Sequence, residues 1–260
     1  MIPDIISLKG CILGTAAGDS LGLPCEGLSS ARIRKMFPDL SDHHFIFGKG
    51  MCSDDTEHTV LLSEALLESG GDADKFAKKF AHKLKLWLIT LPAGIGKATL
   101  LSCLKLLFFV PPEKSGVFSA GNGPAMKAAV LGVLYGDEPE KLKEMVKIAS
   151  RISHTDPKAE YGALAVAKAS YMSAMKVKKE QLLKEYPEKL NGLLPKDPAA
   201  EELMDRINKC VQSVKAGESI WEYCKKEGMT KGISGYTYHT VPAVIHSWLS
   251  NPYDLSLIHI

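Results

Sequence analysis

Ser53-Asp54-Asp55-Thr56-Glu57, running into the apolar positions Val60, Leu61, Leu62, Ala65 and Leu66, is the stretch on which the fold turns. Its apolar residues recur at three- and four-residue intervals, the period of a helix and not of a strand. Ser53 or Asp54 supplies an N-cap, and Asp54 with Glu57 has capping-box spacing, so the pattern predicts a helix over 54–69. The same residues admit a second use. Adjacent carboxylates flanked by hydroxyls crowd hard oxygen donors into one turn, which repels itself unless a cation or solvent neutralises it. Asp19 with Glu26 forms another acidic cluster at the end of an earlier helical stretch. On these residues alone, a plain cap and half of a hard-metal site are both open.

Outward from this stretch the helical period repeats, and alternating runs of strand type are scarce. The reading is an all-α protein with helices over 5–21, 54–69, 72–88, 94–108, 121–135, 138–153, 157–176, 199–215 and 237–249. The charged segment 176–198 carries three prolines and reads as a surface excursion between helices. In the first helix Gly10, Gly14, Gly18 and Gly22 stand four apart. Such a bare face suits a close helix–helix crossing, which would bring Asp19 and Glu26 rigidly toward a partner helix. No repeat of fixed period and no low-complexity stretch is visible.

With 45% hydrophobic residues in 260, the chain can bury a sizeable core as an ordinary globular domain. Lys+Arg of 32 against Asp+Glu of 30 leaves +2, too little to draw it to nucleic acid or an anionic membrane, so small ligands are the expected partners. The six cysteines form no C-x-x-C pair, which fits reduced thiols in a cytoplasmic protein. Neither a secretory signal nor an apolar run long enough to span a bilayer is seen. A monomer is the expectation for a helical domain of this size.

Further along come Gly121-Asn122-Gly123-Pro124-Ala125-Met126 and Arg151-Ile152-Ser153-His154. A glycine-rich turn at a helix N-terminus presents free amides to phosphate, although such a turn by itself is more often only a turn, and a histidine ending a helix is more often a cap.

In order and spacing, five segments together resemble the ADP-ribosylglycohydrolase family: Gly14-Thr15-Ala16-Ala17-Gly18-Asp19-Ser20-Leu21-Gly22 leading to Glu26; Ser53-Asp54-Asp55-Thr56; Gly121-Asn122-Gly123 with Met126; Ser153-His154-Thr155-Asp156; and Gly232-Ile233-Ser234-Gly235-Tyr236 with Thr240-Val241-Pro242. The resemblance covers nearly the whole chain. It implies a compact orthogonal helical bundle holding two magnesium or manganese ions, which releases ADP-ribose from a modified protein side chain or a related small conjugate. Ser53, Asp54 and Asp55 match the family's metal ligands, with Asp55 also placed among the catalytic groups. Glu26 matches a flexible acidic residue given ligand or base roles. Gly121, Asn122, Gly123 and Met126 match the loop along the diphosphate and distal ribose, and His154, Gly232, Ile233 and Tyr236 match positions around the rest of ADP-ribose. The chemistry suits the residues: attack at an anomeric carbon passes through an oxocarbenium-like centre, and a cation that orients water leaves Glu26 to take its proton. The alternative is a catalytically silent ADP-ribose binder or crystallin-like structural relative.

The sequence departs from the family pattern in two places. Lys127 follows Met126 where the family often has Arg, giving up a bidentate fork for phosphate. No Gly-Gly-Asp-x-Asp-Thr segment, which supplies the family's remaining metal ligands, is present, and the bundle is expected to lack its C-terminal helices. Leu255-Ser256-Leu257-Ile258-His259-Ile260 is what the mosaic-end adapter of a transposase-based sequencing library encodes. The expectation is therefore one domain over 1–254 and an adapter-derived tail over 255–260. Asp42-His43-His44 superficially resembles a metal phosphoesterase signature, but lacks the strands that chemistry needs. His58 is expected to be a solvated or capping histidine, and substrate choice to depend on loops 39–52 and 90–97.

Overall fold

The computed structural model describes residues 5–37, 42–92 and 94–253. They form fourteen α-helical segments in the order α1 (Ile5–Gly22), α2 (Ser30–Met36), α3 (Asp54–Ser69), α4 (Ala73–Ile89), α5 (Lys97–Leu107), α6 (Pro112–Ser115), α7 (Gly123–Met126), α8 (Ala129–Tyr135), α9 (Pro139–Arg151), α10 (Pro157–Ala174), α11 (Lys179–Asn191), α12 (Pro198–Lys215), α13 (Ile220–Lys226) and α14 (Thr237–Ser250). Among the described residues the only extended pairing is two isolated bridges, and the all-α expectation holds. No helix among them is long and apolar enough to cross a membrane. Residues 255–260 lie outside the described residues.

At the centre runs α10, an alanine-rich helix that touches α7, α8, α9, α11, α12 and α14. Ala159, Ala163, Ala165, Ala167 and Ala169 are all buried, and such small side chains let six neighbours approach one axis. The closest approach is at Gly132 of α8, where a Cβ would sit 1.8 Å from the Ala167 carbonyl oxygen. Close crossing was expected instead along α1. That helix packs on α3 and α8, yet a Cβ on Gly10, Gly14 or Gly22 would meet nothing within 4 Å among the described residues. Asp19 ties α1 to the start of α3 through its bonds with Ser53 and Thr56.

Segment 176–198 corrects a second expectation. It folds as α11 with Pro187 inside, and Leu182, Tyr186 and Leu190 are buried. These residues recur at four-residue intervals, and the burial of that apolar stripe outweighs a proline and a charged outer face. The expected single helix over 121–135 breaks into α7 and α8 at Lys127 and Ala128.

Candidate functional site

Two halves make up the site. The acidic half is built at the start of α3, where Ser53 is the N-cap and its hydroxyl accepts from the Asp55 amide at 3.4 Å. A stronger cap comes from another helix. Asp19 of α1 accepts from the Ser53 amide and hydroxyl, each at 2.7 Å, and from the Thr56 amide at 3.1 Å and hydroxyl at 2.5 Å. Both of its oxygens are thus engaged, and Asp19 serves as an inter-helix cap. The capping box at Asp54 does not form either, because the Glu57 carboxylate accepts from Trp87 Nε1 at 2.6 Å.

Asp54 and Asp55 are left in the first turn of α3, partly buried and without an ion pair among the described residues. Burial raises the Asp54 carboxyl, with Asp19 and Glu57 adding to it. Burial pushes Asp55 up to about 7, assisted by Asp54, Asp19 and Glu26. Glu26 ends the 3-10 turn Leu23–Cys25, is exposed at the rim, and is raised by partial desolvation, then by Asp54 and Asp19. Asp54, Asp55 and Glu26 therefore share one field and hold protons that isolated carboxyls would release.

The glycine half is assembled from segments far apart in sequence. Gly121 bridges to Tyr236, the Asn122 amide donates to the Gly235 carbonyl at 2.9 Å, and the Thr237 amide donates to the Ala120 carbonyl at 2.9 Å. A parallel bridge joins Val117 to His154, whose ring packs under the glycine turn. A Cβ on Gly121 would lie 2.9 Å from His154 Nε2, and one on Gly123 2.9 Å from His154 Cε1. Only glycine lets the imidazole fit there. His154 is buried, its Nδ1 lies 2.9 Å from Ser153 Oγ, and burial with the nearby Lys127 charge pushes it down to about 3. It is a neutral wedge beneath the turn.

A model of the ADP-ribosylglycohydrolase family matches residues 5–258. The chain belongs to that family. A protein of Archaeoglobus fulgidus is 33% identical over 76% of this chain and 67% of its own length. The ADP-ribosyl-[dinitrogen reductase] glycohydrolase of Rhodospirillum rubrum is 26% identical over 61% of this chain and 55% of its own. ADP-ribosylhydrolase ARH3 of Gallus gallus is 26% identical over 66% and 51%. The chain thus spans about half to two thirds of the length of these relatives. A solved ADP-ribosylglycohydrolase-related protein complex superposes with a TM-score of 0.68 at 24% identity, covering 97% of this chain and 78% of that one, which confirms the fold.

In this family member the remaining expected site residues lie along α7 and in the segment leading into α14. Met126 closes α7, Gly232 takes φ +112°, and Ile233 packs against the core. Tyr236 precedes α14, and its hydroxyl accepts from Lys158 Nζ at 3.0 Å, with Glu202 paired to the same ammonium at 2.6 Å. Asp156 caps α10 by accepting from the Lys158 amide at 2.9 Å. His43 Nδ1 lies 2.9 Å from Ser20 Oγ, and the His43 amide donates to the Asp42 carboxylate.

Two positions differ from expectation. His58 is 1% exposed, neither solvated nor capping, with both ring nitrogens lacking a partner. As the fifth residue of α3 it falls on the face that packs against α4, where its ring meets Trp87. Lys127 is also buried, donating to the Gly123 carbonyl instead of facing outward to phosphate. Among the described residues no three His, Cys, Asp or Glu side chains converge as a ready metal cage. The oxygen set on hand is Asp54, Asp55 and the Ser53 hydroxyl, with Glu26 at the rim. That set fits magnesium or manganese, since these ions keep several waters and are often held by one or two carboxylates.

Proposed function

We propose that the protein is a metal-dependent hydrolase that cleaves the glycosidic bond at the ribose anomeric carbon of ADP-ribose joined to a protein side chain or a small conjugate. The observation that carries this reading is the pairing, in a member of this family, of the raised Asp54–Asp55 turn with the glycine turn joined to Tyr236. A diphosphate lies along the glycine turn, lined by Gly121, Asn122, Gly123 and Met126, where the two glycines add no side-chain bulk. Gly232, Ile233 and Tyr236 flank the rest of the ligand, and His154 supports the turn from below. Ser53, Asp54 and Asp55 would hold magnesium or manganese, which supplies a polarised water and a countercharge when bound. Glu26, at the rim and raised from its ordinary value, accepts the proton of the attacking water.

The test is direct. Purified protein is incubated with ADP-ribosyl-arginine and ADP-ribosyl-serine peptides, with magnesium or with chelator, and free ADP-ribose is measured. Release that requires the cation supports the proposal. Tight ADP-ribose binding with no release from either linkage would establish the silent-binder alternative instead.

A further inference from the structure

We infer that the outer face of α5, with the end of α4 beside it, is a docking surface for a membrane leaflet rich in anionic lipid. Helix α5 is partly inside out. It packs on α4 and α6 with Thr99 and Ser102 buried beside Cys103 and Leu106, while Leu101 and Leu104 are exposed. Lys97, Leu101, Leu104 and Phe108 follow one another at steps of four, three and four along the open side, so they form one ridge. Phe108 and Phe109, where the helix ends, are 80% and 91% exposed. On α4, Leu86 and Ile89 are also exposed, in the last turn before the loop that leads to α5. Scattered apolar residues on a surface need no explanation, but a ridge of two phenylalanines and two leucines on one helix marks a contact site.

The charge around this ridge selects its occupant. The net charge of +2 is unevenly spread: from Lys75 to Pro112 there are seven lysines and no Asp or Glu, so of 32 basic residues 25 are left against 30 acidic ones elsewhere in the chain. Lys79 and Lys83 are paired with Glu64 and Glu68 of α3. Lys75, Lys78 and Lys85 of α4 and Lys97 of α5 enter no ion pair among the described residues. On α4 these lysines share the helix face that carries Leu86 and Ile89. Lysines bordering leucine and phenylalanine suit the boundary between headgroups and acyl chains, where the rings enter the acyl layer and the ammoniums stay among lipid phosphates. A second copy is the poorer fit, because a two-fold contact would set these lysines against themselves with no acid in the segment to answer them. No helix among the described residues can cross a membrane, so the contact is peripheral.

Sedimentation of the full chain with vesicles tests this without reference to catalysis. The vesicles are phosphatidylcholine alone, or phosphatidylcholine mixed with phosphatidylserine. At low salt the wild type should bind the anionic vesicles at least about tenfold more tightly than the neutral ones, and should lose most of that difference at about 0.5 M NaCl. Lys85→Gln with Lys97→Gln should weaken anionic-vesicle binding about tenfold. Phe108→Ser with Phe109→Asn should weaken it by a similar factor; Asn suits position 109, where φ is +60°. Equal binding to both kinds of vesicle, no binding to either, or anionic binding untouched by the Phe108 and Phe109 substitutions overturns the inference. A concentration-dependent dimer in analytical ultracentrifugation that those two substitutions dissolve overturns it as well, by assigning the face to a second copy.

Discussion

His58 stands edge-on to Trp87, ring centroids 4.3 Å apart at 73°, with both imidazole nitrogens buried and unbonded. Packing has been kept here at the expense of polar satisfaction, because an orphaned buried polar atom costs about 1–3 kcal/mol while an aromatic pair returns about 0.5–1.5 kcal/mol. Replacing His58 with Leu removes both terms and should stabilise the protein by about 1 kcal/mol. Chemical denaturation of the two proteins at pH 7 checks this. Destabilisation by a comparable amount would mean that the nitrogens find partners in solution.

The Asp19 cap should matter more than an ordinary one, since four bonds from α3 converge on its two oxygens. Asp19→Ala leaves the Ser53 and Thr56 amides open and cuts the link between α1 and α3. A loss of about 2 kcal/mol is expected, at the upper end for a helix cap. The same melts report it, and a change under half a kcal/mol would show that solvent replaces the carboxylate without cost.

How far each of these features could be read beforehand follows from how local its cause is. The start of α3 was legible because Ser53 caps its own helix, and the period of Leu62, Ala65 and Leu66 declares the buried face. Asp19 as a cap was not, because its partners lie more than thirty residues away. Helix α11 hid behind Pro187 and its charges, although Leu182, Tyr186 and Leu190 carried the signal at i, i+4 and i+8. His58 and Lys127 look polar and exposed in sequence. Only the packing of α3 against α4 and α7 turns them inward. The glycine turn was recognisable as a motif, whereas its pairing with Tyr236 is a tertiary fact with no local signature.

The wedge of His154 under the glycine turn predicts coupling. Gly123→Ala places a methyl 2.9 Å from the His154 ring and should cost about 1–3 kcal/mol by overpacking. In a His154→Ala background the methyl has room, so the same substitution should cost less, giving a coupling of at least about 0.5 kcal/mol in a double-mutant cycle. Additive losses would show that the turn is strained by the methyl for reasons unrelated to the imidazole.

Acid stability separates Asp55 from His154, because their shifts have opposite signs. Folded Asp55 sits at about 7, well above its unfolded range of about 3.9. The native state therefore holds the extra proton in between, and this group adds stability as pH falls from 7 toward 4. His154 is at about 3 when folded against about 6.5 unfolded, so the unfolded state takes the proton and stability is lost as pH falls from 6.5 toward 3. Between pH 6.5 and 4 the two contributions oppose. Asp55→Asn deletes the compensating one, and its stability should fall more steeply there than wild type, by up to about 1.4 kcal/mol per pH unit. Denaturant melts at pH 6.5, 5.5 and 4.5 with chelator present measure the difference in slope. Parallel curves would place the Asp55 carboxyl in the ordinary carboxylate range and remove the stored repulsion on which a cation at Ser53, Asp54 and Asp55 depends.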